Sequence, residues 1–110
     1  MIEELDKVQM RMRGRVDNTQ GPIVAALRDI GASVAITSPL GGGFGDLVVG
    51  FRGVNVLLEA KTGNEPLTAA ETKFHGEWNG QVAIVRTPEE AQLAVISHWQ
   101  ACGGKEVGHA

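Results

Sequence analysis

The feature that most constrains this chain is the stretch 45–61, GDLVVGFRGVNVLLEAK. Two apolar runs flank Arg52-Gly53, a dipeptide suited to a tight hairpin turn. If the turn closes in two residues, Phe51 pairs with Val54, and the register carried back to the open end sets Asp46 opposite Glu59. Directly opposed residues hold their Cβ atoms about 4.5–5.5 Å apart, and like charges there repel. Strand alternation puts Glu59 and Lys61 on one face. Two carboxylates and an ammonium thus converge where two otherwise buried strands end. Desolvated charge costs several kcal/mol per ion. A Glu59–Lys61 salt bridge accounts for two of the groups but leaves Asp46 unexplained. A divalent cation such as Mg²⁺ accounts for all three, because it takes carboxylate oxygens, activates water and clamps phosphoryl oxygens. Lys61 beside it is placed to stabilise transition-state charge or to orient the attacking water.

The remainder of the chain reads as a support for that hairpin. At 110 residues it suffices for one core. Residues 1–16 read as a partly ordered arm, 17–102 as a single domain and 103–110 as a flexible tail. In the arm, Arg11, Arg13 and Arg15 at i, i+2 spacing form either a solvated strip or a contact for a phosphate backbone. Ile23, Val24, Leu27 and Ile30 share one helical face, with Pro22 in the first turn and Gly31 as C-cap. Gln20 sits at the head of this helix, either as a local cap or as a site residue. Ala32–Thr37 reads as a strand, followed by Gly41-Gly42-Gly43, a pliant rim beside Asp46. The glycines do not match a Walker phosphate loop, since no Gly-Lys-Ser/Thr follows.

Thr68-Ala69-Ala70-Glu71 has the form of a capping box and opens a second helix reaching about Trp78. Ala70, Phe74 and Trp78 are expected to face the core and Lys73 and Glu77 to pair on the surface, while His75 on the flank is either a surface or boundary residue or one that overlooks the site. Residues 81–85 read as a buried strand. Thr87-Pro88-Glu89-Glu90 starts a third helix, whose expected apolar face is Ala91, Val95, Trp99 and Cys102, widened by Leu93 and Ile96. The order αβββαβα predicts an α/β fold with a mixed central sheet of about four strands flanked by helices.

The net charge of −3 does not favour nucleic-acid binding, although bound cations would reverse the field locally. No apolar run reaches the ~18 residues that span a membrane. The N-terminus lacks a signal peptide's apolar core, and the lone Cys102 has no partner within the chain. The expectation is a reducing, cytoplasmic setting.

Gly45-Asp46, twelve intervening residues and then Glu59-Ala60-Lys61 resemble the motif of the PD-(D/E)XK nuclease superfamily. Together, IVAALRDIGASV (23–34), residues 41–63 and LTAAETKFHGEWNGQVAIVRTPEEA (67–91) are similar to small stand-alone VRR-NUC proteins of phage type. The resemblance spans roughly 17–96 and implies a restriction-endonuclease-like fold. It also implies a Mg²⁺- or Mn²⁺-dependent DNA endonuclease, with Asp46, Glu59 and the Ala60 carbonyl on the metal and Lys61 catalytic. Gln20 is the residue on the first helix that completes the site. Gly42, Gly43 and His75, with the three arm arginines, are the candidate DNA contacts. Such proteins are similar to junction resolvases, which implies branched, Holliday-junction-like DNA as substrate and a homodimer as the acting form. Three positions depart from the pattern: Gly45 stands for proline, Gln20 for glutamate and Glu71 for glutamine. The alternatives are a nuclease that nicks linear duplex, a catalytically idle nucleic-acid-binding module of the same fold, and a nucleotide-binding module using the glycine run.

Overall fold

The computed structural model describes residues 20–104. The elements follow the order α1 (Gln20–Asp29), β1 (Ser33–Ile36), a 3₁₀ turn (Ser38–Leu40), β2 (Leu47–Phe51), β3 (Val54–Ala60), α2 (Ala69–Glu77), β4 (Val82–Val85) and α3 (Pro88–Ala101). The strands form one sheet in the order β1-β2-β3-β4. The first three make an antiparallel meander, and β4 joins β3 in parallel, so the sheet is mixed. A parallel neighbour requires a crossover, which is why the long segment carrying α2 separates β3 from β4.

The turn closes as the residues demand. Phe51 pairs with Val54, and Leu47 with Leu58. Arg52 and Gly53 both have positive φ, 52° and 89°, the conformation of a two-residue hairpin turn that follows strand twist. Glycine adopts this freely. Arg52 does so against its preference, and its guanidinium stacks over the Phe51 and Trp99 rings at 5.1 and 4.6 Å.

Helix α1 ends through Gly31, at φ 88°. Its N–H donates to the Arg28 carbonyl, and the Ala32 N–H donates back to Leu27. These two bonds are a Schellman cap, and they turn the chain directly into β1. The expected caps Asp17, Asn18 and Thr19 lie outside the described residues, as do Arg11, Arg13 and Arg15.

Helices α1 and α3 cover one sheet face. Ile23, Val24 and Leu27 from α1 and Ala91 and Val95 from α3 pack on Val34, Leu47, Val49, Val56, Leu58 and Val85. The Gln92 amide donates to the Ala26 carbonyl at 2.8 Å and ties the two helices together. The opposite face carries Val48, Asn55, Leu57 and Glu59 at alternate positions and is covered, among the described residues, by α2 and the loops beside it alone.

This one-sided cover corrects several expectations. No residue of α2 is fully buried. Ala70 is exposed, Phe74 half-buried and Trp78 43% exposed, so the Ala70–Phe74–Trp78 stripe does not face the core. These rings pack instead with Phe44 in a small aromatic cluster beside the sheet. Strand β4 is an edge strand, buried throughout only at Val85, and Ile84 is exposed because its face lacks a covering helix. On α3 Ala91 and Val95 are buried and Ile96 and Trp99 pack half-buried against the core as expected, while Leu93 and Cys102 are exposed. The Lys73–Glu77 pair does form on the surface, at 3.9 Å.

Leu58 is fully buried at the centre of the covered face, next in sequence to Glu59. Leu58→Ala is expected to cost about 2–5 kcal/mol. The denaturation midpoint in urea should fall while the slope stays unchanged.

Candidate metal centre

Two backbone bonds and one from a side-chain hydroxyl place the carboxylates. The Thr37 N–H donates to the Asp46 carbonyl at 2.8 Å, the Thr37 hydroxyl to the Gly45 carbonyl at 2.6 Å, and the Asp46 N–H to the Leu58 carbonyl at 2.9 Å. The β2–β3 register runs to Leu47↔Leu58, the Asp46 N–H bonds the same Leu58 carbonyl, and the Asp46 and Glu59 carboxyls meet just beyond the end of the ladder. Gly45 lies so close to β3 that a Cβ there would sit 3.1 Å from the Leu58 carbonyl oxygen. Glycine at this position lets the two strands approach.

The Asp46 carboxylate accepts the Ala60 N–H through Oδ2 at 2.9 Å. Glu59 is 2% exposed, and its Oε1 is buried without a hydrogen-bond partner. Burial, the facing Asp46 charge and the Glu71 carboxylate push the Glu59 carboxyl up to about 9, so at neutral pH it holds a proton. Burial also raises Asp46, against the opposing pull of the Ala60 N–H.

Lys61 is 5% exposed. Its ammonium lies 2.7 Å from Glu71, 3.7 Å from Glu65 and 3.8 Å from Glu59. Burial alone would lower its pKa, but the Glu71 hydrogen bond and the surrounding carboxylates outweigh burial and raise it. Lys61 is a fixed cation. Burial acts to raise Glu71 too, but the bonds from Lys61 and from the Thr68 N–H bring it down to about 2.

Glu71 and Glu65 are the members that sequence reasoning missed. Glu71 completes the expected capping box: the Thr68 N–H donates to Oε1 at 2.8 Å, and the Thr68 hydroxyl accepts the Glu71 N–H at 3.1 Å. The same Oε1 takes the Lys61 ammonium, so one carboxylate caps α2 and anchors it over β3. The available signal was the short loop from Lys61 to Thr68, which must bring the helix N-terminus back over the strand it leaves. Arg86 braces that loop by donating to the Gly63 and Glu65 carbonyls at 2.7 and 2.8 Å.

The other expected residues divide. Gln20 is half-buried at the head of α1 and takes no part in these bonds. His75 is half-buried on α2 with its ring edge-on to Phe74, and it is not among the groups around Lys61. Gly42 and Gly43 have positive φ, and a Cβ on Gly43 would meet the Ala70 carbonyl. The glycine rim is therefore pressed against the first turn of α2.

Among the described residues, no three His, Cys, Asp or Glu side chains are grouped as a ready metal cage. What is assembled is a pair of facing carboxylates, one with an orphaned buried oxygen, next to a backbone carbonyl at Ala60. That all-oxygen set suits a hard cation that keeps several waters. A comparison with known protein families, curated proteins and solved structures found no match to this chain.

The raised Glu59 pKa has a thermodynamic sign. The folded state holds a proton that the unfolded chain, with an ordinary value of 4.5, releases first. The contribution is complete below pH 4.5 and is lost as pH rises through about 9. In EDTA, the metal-free protein should lose stability across that window by up to about 1.4 kcal/mol per pH unit. Glu59→Gln, which cannot ionise, should flatten the slope, and urea unfolding at stepped pH reads it.

Proposed function

We infer that this chain is a Mg²⁺- or Mn²⁺-dependent endodeoxyribonuclease that hydrolyses phosphodiester bonds, with branched, Holliday-junction-like DNA as its substrate class and a homodimer as its acting form. The observation that carries the reading is the buried, unpartnered Glu59 Oε1 opposite Asp46, with the Lys61 ammonium 3.8 Å from the same carboxylate. A cation would be held by Asp46, Glu59 and the Ala60 carbonyl. Bound there, it supplies Lewis-acid polarisation of a phosphoryl oxygen and acidifies a water. The order αβββαβα and the mixed sheet agree with the fold that the PD-(D/E)XK resemblance implies.

The protein's own groups have separable tasks. To hold a cation, Glu59 would have to give up its proton, so metal binding at neutral pH would be accompanied by proton release. Lys61 keeps its charge because its pKa is raised, which suits it to stabilising a phosphorane-like oxyanion and not to acting as a general base. Glu71 orients it. One oxygen of that carboxylate holds the ammonium and the Thr68 N–H together, fixing Lys61 against the first turn of α2.

A second reading is a catalytically idle nucleic-acid-binding module. It is favoured by the same ammonium, which is already engaged by Glu59, Glu65 and Glu71. The two readings separate in one assay, with labelled four-way junction, nicked duplex and linear duplex incubated with Mg²⁺, Mn²⁺ or EDTA. The nuclease reading expects junction cleavage in either metal, none in EDTA, and a loss of about 10²-fold or more in Lys61→Ala. Cleavage in EDTA, or full activity in Lys61→Ala, overturns it. Binding without cleavage in both metals selects the idle module, and preferential cutting of linear duplex selects the nicking enzyme.

A further inference from the structure

The sheet face left uncovered by α1 and α3 holds a cavity of about 460 Å³ lined by Phe44, Val48, Asn55, Leu57, Trp78 and Gln81. Its size lies within the range of small-molecule sites. The cavity adjoins the metal centre through the backbone itself. Leu57 lies two residues before Glu59 on the same face of β3, about 7 Å away along the strand. Phe44 and Val48 stand two residues to either side of Asp46 where the chain enters β2, and both line the cavity. Whatever occupies the cavity is therefore one strand step from the two carboxylates.

The walls have a specific chemistry. Trp78 stacks on Phe74 with centroids 5.0 Å apart and planes 18° from parallel, while Phe44 meets it edge-on at 6.1 Å. Despite these neighbours, the indole is 43% exposed. Gly80 makes room for it: a Cβ there would stand 2.8 Å from the indole Nε1. Two amides, Asn55 and Gln81, join this aromatic wall. The Asn55 side chain is exposed, and the Gln81 amide makes only a 3.7 Å contact to the Cys102 sulfur.

We propose that this cavity is a nucleobase subsite: an unstacked base of the substrate strand lies against Trp78, its polar edge turned to Asn55 and Gln81, while a neighbouring phosphate reaches Asp46 and Glu59. A flat apolar ring with donors and acceptors on its edge is the ligand that a stacked aromatic platform with amides beside it accommodates. A second copy of this chain seated by its apolar surface would instead bury those two amides without partners, at a cost. The subsite rests on the nuclease reading and narrows it, because only DNA with unpaired or readily unstacked nucleotides, such as a branch point, can fill the pocket.

The test measures binding, with Ca²⁺ replacing Mg²⁺, of a short single strand, a four-way junction and a blunt duplex. It uses the full chain, Trp78→Ala and Trp78→Phe, with folding verified by thermal melts. Single strand and junction should quench the tryptophan emission of the wild type, and Trp78→Phe, which keeps only Trp99, should lose that signal while binding nearly as well. Trp78→Ala should bind single strand and junction about 10- to 100-fold more weakly and blunt duplex with little change. Equal quenching by blunt duplex overturns the subsite, as does undiminished junction binding by folded Trp78→Ala. A concentration-dependent dimer that Trp78→Ala dissociates, without this selective loss, assigns the cavity to a second copy and overturns it as well. Cleavage by the wild type in Mg²⁺ is scored separately. Cutting without a Trp78 effect removes the subsite alone, and quenching without cutting removes the nuclease reading alone.

Discussion

The structure depends on how it accommodates the buried carboxyl of Glu59. Among the described residues, the carboxylates of Asp46, Glu59 and Glu71 lie near the Lys61 ammonium at the end of β3, and the exposed Glu65 reaches it from the following loop. One ammonium does not balance three carboxylates where water is largely excluded, and the least solvated acid yields by taking a proton. The same imbalance explains why Glu71 is so strongly ionised: it lies closest to the ammonium and also receives a backbone N–H.

That arrangement is affordable because β3 serves two environments at once. Its Val56, Leu58 and Ala60 side chains are locked into the core under α1 and α3, while Leu57 and Glu59 alternate onto the other face. The packed side holds the strand still, and the other side bears the ionisable groups. A site on such a strand inherits the rigidity of the core. The short loop after it, braced by Arg86 and closed by the Lys61–Glu71 pair, returns α2 over the carboxylates.

Much of this was legible in the residues. Arg52-Gly53 between two apolar runs dictated the turn, and turn length dictated register, so the pairing of Phe51 with Val54 and of Leu47 with Leu58 could be read from spacing alone. Gly31 and the Thr68–Glu71 box marked helix ends because they answer local backbone needs that no tertiary contact alters. The face of α2 could not be read in the same way. Ala70, Phe74 and Trp78 have core-like spacing, but spacing reports only that three side chains share a face, not that a layer exists to receive it. With both large covering helices on the opposite side, the aromatic residues were left to pack on Phe44 at the rim. Leu93 and Cys102 failed for a related reason: α3 has one sheet to lie on, and its buried stripe is only as wide as that contact.

By itself, then, the sequence determined what is local or follows from counting: the elements, their caps, the hairpin register, and the meeting of two acids with a lysine at one sheet edge. Tertiary structure decided which surfaces were left over and which distant groups joined the site. Glu71 became the closest partner of Lys61 because of where α2 comes to rest against the sheet. The reason is physical. Hydrogen-bond periodicity and turn geometry act over a few residues, whereas desolvation and charge depend on everything packed within several ångströms, and those neighbours are assembled only when the chain has folded.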